Sequence, residues 1–338
     1  MTTALTDPAA GGADPGHHPV TRHPRVVADR PGRADRTFDR ITLLAGLSVL
    51  VLLTLVGVFL LFQSHTAIGE TGVLRFLTRI EWRTDVHPAR IGVLGLLVGT
   101  VLVALVAVAI ALPLSVITAL AITEYAGARA RKWLVGVVDL LAAVPSLLFG
   151  LWGFLFLSAK VVPLSKFLTD HFGWIPIFKT TPGASLTGSI FIAGIVVSLM
   201  VIPIITSVVR EVFSQAPPGE KEAALALGST RWGMIRAVVL PYGRSGIVGG
   251  TMLGLGRALG ETIAVVLLLP QVPSVSARIL QNGGATVSGF IANRAGADSF
   301  TVSGLMAAGL VLFVMTLATN MVASVVVARS RSGVGVDL

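Results

Sequence analysis

No cysteine occurs among the 338 residues, which excludes disulfides, thiolate metal sites and cysteine nucleophiles together and leaves the redox compartment unreadable. Charge is scarce too: Asp, Glu, Lys and Arg make up 13% of the chain, against about 25% in an ordinary soluble domain. Hydrophobic residues make up 54%, and the mean hydropathy is +0.84. These values exclude a soluble globular class and point to a polytopic membrane protein. No Gly-x-x-x-x-Gly-Lys-Ser/Thr phosphate loop is present, nor any zinc-protease, hydrolase-elbow or dinucleotide pattern. The chain therefore carries no P-loop motor of its own. The net charge of +9 would suit a nucleic-acid partner in a soluble protein. Here the basic residues lie in loops between apolar runs, where they report topology instead.

Residues 1–40 are different material, with six arginines, five aspartates and three histidines (His17, His18, His23) among Gly, Pro and Ala. Such a stretch cannot bury enough surface to fold and reads as a disordered cytoplasmic tail. It lacks the early apolar run of a signal peptide. Without further ligands, its histidines read as solvated rather than metal-binding.

A membrane helix needs about 20 mostly apolar residues. Six stretches qualify: Ile41–Phe62, Gly92–Ile117, Trp133–Ser158, Gly188–Val209, Gly246–Leu269 and Val302–Ala328. Pro113 in the second and Pro145 in the third predict kinks. With the N-terminus inside, sixteen of the 26 Lys and Arg residues fall on the inner side and nine outside, with Arg257 within a span. That bias puts both termini, including the tail 329–338, in the cytoplasm. Trp82, Trp133 and Trp174 near span ends read as interface anchors.

The cytoplasmic loop at 211–241, between spans four and five, is the most specific segment. Pro217, Pro218, Glu220 and Glu222 open a short helix with the residue types that favour a helix start. Gly228 suits a left-handed helix end, Ser229 a cap for a second helix, and Pro241 its close. Ala223 and Ala224 are small enough for a partner surface to approach closely. An amphipathic helix lying on the membrane is the simpler alternative for the same residues.

Within span five, Arg257 lies roughly 17 Å past Gly246 at the 1.5 Å rise of a helix. A charge at that depth costs on the order of 3 kcal/mol or more unless it faces a polar interior. Glu261, four residues on, shares its helical face and can hold the guanidinium. The pair reads either as a lock between helices or as an anion station, since guanidinium offers a planar fork matching phosphate or carboxylate. Thr262 adjoins it. Gly246, Gly250 and Gly254, and likewise Gly256 and Gly260, recur at the spacing of small-residue helix packing. Asp139 and Asn320 are weaker polar candidates within spans, the first expected to pair with Arg131 or water and the second to bond between helices.

Glu222-Ala223-Ala224, Gly228, Val238 and Leu240-Pro241 stand at spacings that closely resemble the EAA loop of ATP-binding-cassette importer permeases, with Val238 where that pattern has Ile. The resemblance implies an all-α, six-helix type I importer (MetI-like) permease fold. It also implies that Glu222, Ala223, Ala224, Gly228, Leu240 and Pro241 dock on a separate ATPase. Gly256 to Val265, Phe76 to Trp82, Glu124-Tyr125 and Ala143 to Gly150 are further similar to the C-type subunit of the phosphate-specific transport permeases, over about Ile41 to Arg329. That resemblance implies a phosphate importer with Arg257, Glu261 and Thr262 in the substrate pathway. Its partners would be a sister permease of the A type, an ATPase dimer holding ATP and Mg, and an external phosphate-binding protein. It places the chain in a prokaryotic plasma membrane, with no cofactor of its own. Three alternatives stay open: a permease of the same kind for another oxyanion or small anion, an ion-coupled secondary carrier or channel using Arg257 and Glu261, and a non-transporting membrane signalling scaffold.

Overall fold

A computed structural model of the protein describes residues 32–84, 86 and 89–331. The expected N-terminal tail through residue 31, its three histidines, and residues 332–338 of the C-terminal tail lie outside the described residues. The chain divides into two units, one through Thr54 and one from Leu55 onward. The described part of the first is the beginning of helix α1 (Arg33–Thr71), so the helix starts eight residues before Ile41. Its leucines, among them Leu43, Leu44 and Leu50, are exposed, as suits a surface facing lipid.

In the second unit α1 ends at Gly72, whose φ of 78° suits glycine, and α2 (Val73–Thr78) follows. A two-stranded hairpin comes next, β1 (Trp82–Arg83) antiparallel to β2 (Arg90–Ile91). Helix α3 (Leu94–Leu120) runs through Pro113 without breaking and ends in a π-turn, Ala121–Tyr125. After α4 (Ala128–Ala143) come α5 (Ser146–Trp152), a π-turn at Gly153–Leu157, and α6 (Ser158–Phe172). Helix α7 (Ile190–Ser214) starts at Ser189, whose Oγ accepts from the Ile192 N–H. The coupling segment contains α8 (Pro218–Ala226), α9 (Arg231–Met234), a π-turn at Ile235–Val239 and α10 (Leu240–Tyr242). Then α11 (Arg244–Leu259), α12 (Ile263–Leu268), α13 (Val287–Asn293) and α14 (Ser299–Arg331) complete the described residues.

Among the described residues, five continuous helical stretches are long and apolar enough to cross a membrane: Asp35–Thr71, Leu94–Tyr125, Ser146–Phe172, Ile190–Ser214 and Ser299–Val327. The sixth expected span is broken, its halves α11 and α12 joined through Gly260–Thr262. The third lies further along than its composition predicts. Pro145 does not kink a span but stands between two helices, α4 and α5. The apolar run across it joined α4 to half of the true span.

Helices α3 and α7 form the centre. Val103, Ala104, Ala107 and Ala111 on α3 are buried in one cluster with Ala193, Val196, Val197 and Val201 on α7. Alanine at near four-residue spacing keeps α3 thin on this face, and a Cβ on Gly194 of α7 would stand 2.4 Å from Val106. A second cluster joins the hairpin to α13 and α14 through Phe76, Trp82, Ile91, Phe290 and Leu305. Trp82 is therefore no interface anchor: it is buried, edge-on to Phe290 at 4.9 Å between ring centroids. Trp133 and Trp174 are exposed, in keeping with that role.

Candidate functional site: a broken span and its coupling loop

The coupling loop folds as its residue types dictate. Proline starts α8 and Glu220 stands in its first turn. At its end Gly228 adopts φ 83°, its N–H donates to the Leu225 carbonyl at 3.0 Å, and the Ser229 N–H donates to the Ala224 carbonyl at 3.1 Å. This is a Schellman ending, in which glycine removes the cost of the left-handed turn. The next helix is capped by Thr230, not Ser229: Thr230 Oγ1 accepts from the Gly233 N–H at 3.1 Å. Pro241 does not close that helix either. It stands within α10, just past the π-turn, and α11 follows directly after Gly243. The wider turn accommodates the donor that proline lacks.

Of the expected docking residues, Glu222, Ala223, Gly228 and Pro241 are exposed, whereas Ala224 and Leu240 pack against the main core. The loop also presents Leu225, Leu227 and Trp232 to the outside; Leu227 is 89% exposed. Apolar groups on a polar loop make a surface suited to a partner.

Lys221 of α8 pairs with Glu124, at the far end of α3's π-turn, with Nζ 2.8 Å from Oε1. Arg231 of α9 stands over the Tyr125 ring, 5.9 Å from its centroid. Arg131 donates from Nε to the Ile122 carbonyl at 3.0 Å and from a terminal nitrogen to the Thr123 carbonyl, so it does not pair with Asp139. Sequence reading missed the Lys221–Glu124 contact because 97 residues separate the partners.

The broken span holds the second group. The glycine stripe Gly246, Gly250 and Gly254 seats α11 on α7, and a Cβ on Gly254 would meet Val201 at 2.7 Å. Gly256 and Gly260 make no such approach; the first only faces the Asn320 amide. Asn320 itself is exposed. Beyond the break, α12 packs on α5, where a Cβ on Gly150 would stand 2.7 Å from the Ala264 backbone. The first half of span five thus rests mainly on α7 and the second mainly on α5, with α7 touching both.

Arg257 and Glu261 meet across the break at 3.3 Å, their side chains 44% and 3% exposed respectively. The carboxylate is well fixed. Its Oε1 accepts from the Ala264 N–H at 3.2 Å and so caps α12. Its own backbone carbonyl accepts from Ser288 Oγ at 2.7 Å, and its N–H donates to the Ala258 carbonyl. Thr262 Oγ1 turns back to the Gly260 carbonyl at 3.2 Å. Among the described residues Arg257 has the ion pair with Glu261 and no other hydrogen-bonded partner. Ser288, on α13, carried no sequence signal. Gln271, the only described non-glycine with positive φ (54°), donates to the Val265 carbonyl and secures the C-terminal end of α12. Among the described residues no group of three or more His, Asp or Glu is placed to hold a metal.

Comparison with known proteins agrees with this architecture. The phosphate transport system permease protein PstC 2 of Mycobacterium tuberculosis is 39% identical over 322 residues, covering 93% of this chain and 99% of that protein. PstC of Xylella fastidiosa (strain Temecula1) is 38% identical over 304 residues, covering 89% and 92%. The probable PstC of Methanocaldococcus jannaschii is 34% identical over 304 residues, covering 88% and 95%. A solved bacterial ABC transporter involved in import of the acidic polysaccharide alginate matches in fold, with a TM-score of 0.51 at 19% identity over 87% of this chain and 99% of that one. Residues 111–332 match the family described as binding-protein-dependent transport system inner membrane component. With the broken fifth span and the capped loop before it, the chain belongs to that family of ABC importer permeases, alongside the PstC permeases.

Proposed function

We propose that this chain is the membrane permease subunit of an ATP-driven inorganic phosphate importer. It forms the translocation pathway with a sister permease and is driven by a separate ATPase dimer, which binds ATP and Mg. A phosphate-binding protein outside delivers the cargo, and both termini face the cytoplasm of a prokaryotic cell. The names of the relatives and the excess of basic residues on the inner loops support this reading.

One observation carries the cargo assignment: a half-exposed guanidinium held by a single, anchored carboxylate at the break of span five. The planar fork keeps donors free for an oxyanion. Phosphate entering the break competes with Glu261 for Arg257, and Glu261 recovers the arginine when the anion leaves. Thr262, next to the carboxylate, adds a hydroxyl to the pathway. The exposed Glu222, Ala223 and Gly228 meet the ATPase, while Ala224, Leu240 and Pro241 carry its movement into α11. Such a cycle requires ATP to bind the two conformations unequally, a difference supplied by the partner.

The test is reconstitution with the three partners in liposomes, followed by ATP-dependent uptake of labelled phosphate. Arg257→Gln lowers uptake by about 100-fold while the complex still assembles. Unchanged uptake in that variant removes Arg257 from the pathway. Uptake that follows an ion gradient without ATP makes the chain a secondary carrier, and preference for another oxyanion reassigns the cargo.

A further inference from the structure

We infer that the Lys221–Glu124 ion pair is a strut that makes α3 a second output of the coupling helix, beside the span into which the loop runs. The inference rests on the reading above. Covalently, α8 leads back to α7 and forward through α9 and α10 to α11; the chain gives it no connection to α3. The pair supplies one. Nζ and Oε1 are 2.8 Å apart, and the side chains are only 20% and 7% exposed, so water competes little for either charge. A contact of this kind transmits force both ways, because separating the partners would leave a covered carboxylate unpaired.

Three neighbouring features make the contact stiff. Glu124 lies in the π-turn that ends α3, not in a loose loop. Arg131 holds the open carbonyls of Ile122 and Thr123, fixing the direction in which the turn presents its side chains. Tyr125, the next residue, carries the Arg231 guanidinium over its ring, which ties α9 to the same turn. Consecutive residues at one helix end thus hold consecutive helices of the coupling loop. Since α3 is packed along α7 by an alanine face, any displacement reaching Glu124 acts on the centre of the protein. Glu124 and Lys221 are positioning residues; neither lies at the break of span five.

The experiment uses the reconstituted complex and reads phosphate taken up per ATP hydrolysed. Glu124→Gln and Lys221→Gln each lower that ratio by about tenfold while hydrolysis continues, and the exchanged pair Glu124→Lys with Lys221→Glu restores most of it. A wild-type ratio in both single variants, or an exchanged pair no better than the singles in an assembled complex, overturns the strut. A second measurement does not depend on phosphate or on the ATPase. The chain has no native cysteine, so spin labels attach cleanly to cysteines introduced at the exposed Ala226 and Ile117. In nanodiscs the label-to-label distance is narrow in the wild-type background and broad with Glu124→Gln. Equal widths overturn the strut on their own. If the wild-type complex moves no phosphate, the parent reading has failed while this comparison still decides the strut.

Discussion

The loop before span five and the broken fifth span each hold one ion pair, and the two pairs differ in how far water reaches them. At the loop both partners are largely covered, at 2.8 Å, and join segments 97 residues apart. At the break the partners are four residues apart and 3.3 Å away, with the carboxylate buried and the guanidinium 44% exposed. A pair covered on both sides resists separation; a pair covered on one side leaves the other free to exchange partners. The glycines follow the same division. Gly246, Gly250 and Gly254 of α11 touch α7, whereas Gly228 in the loop has nothing within 4 Å of its would-be side chain. In one region glycine is there for space, in the other for its backbone.

The most damaging test of this contrast is Arg257→Lys. An ammonium keeps the charge but not the fork, and phosphate uptake is expected to fall by about tenfold or more, with complex yield unchanged. Equal uptake would reduce the site to a simple positive charge. Next is Gly254→Val: its side chain would overlap Val201 and Ile205, and we expect a cost of about 1–3 kcal/mol or more, seen as lost yield or a lower melting temperature in detergent. Glu261→Gln compared with Glu261→Ala separates two tasks of one carboxylate. Glutamine can still accept from the Ala264 N–H, so its melting temperature stays near wild type while uptake falls; alanine also loses the cap, at about 1 kcal/mol. Gly228→Ala meets no atom but must adopt φ 83°, and costs about 1 kcal/mol, readable in the same melting assay. If Gly228→Ala proves as damaging as Gly254→Val, the division between space and backbone fails.

The smallest effect serves as a reference outside both regions. Asp298 precedes α14, and its carboxyl is held below its ordinary value of 3.8 mainly by the Thr301 hydroxyl and then by the Thr301 N–H. A depressed carboxyl contributes stability above its unfolded value and loses it as pH falls through the folded one. Melting temperature should therefore show a slight loss only below about pH 4, absent in Asp298→Asn.

The parts of this design that were legible in the sequence are those written in consecutive residues. Pro218, Gly228 and the apolar lengths of α3, α7 and α14 each state their own local conformation. The stripe Gly246, Gly250 and Gly254 announced close packing, though not its partner. The third span was misplaced because Lys160, Pro163 and Lys166 dilute the end of the true span, while α4 is apolar enough to pass for its beginning. The break in span five was hidden by apolar runs on both sides of Gly260-Glu261-Thr262. Glu124 with Lys221, and Ser288 with Glu261, are products of tertiary folding. No local spacing rule reaches across 97 or 27 residues.

The interruption of span five has a mechanical consequence. Its first arm packs mainly on α7 and its second mainly on α5, with α7 touching both, so under the proposed function Gly260–Thr262 would act as a fulcrum. A fulcrum is the point that travels least and tilts most. Glu261 lies within it and Arg257 one turn before it, where a modest swing of one arm would redirect the guanidinium without carrying it anywhere. Under the proposed function, selectivity and release would then reduce to aim: the same charges, at nearly the same place, pointed toward the ion or back toward the carboxylate.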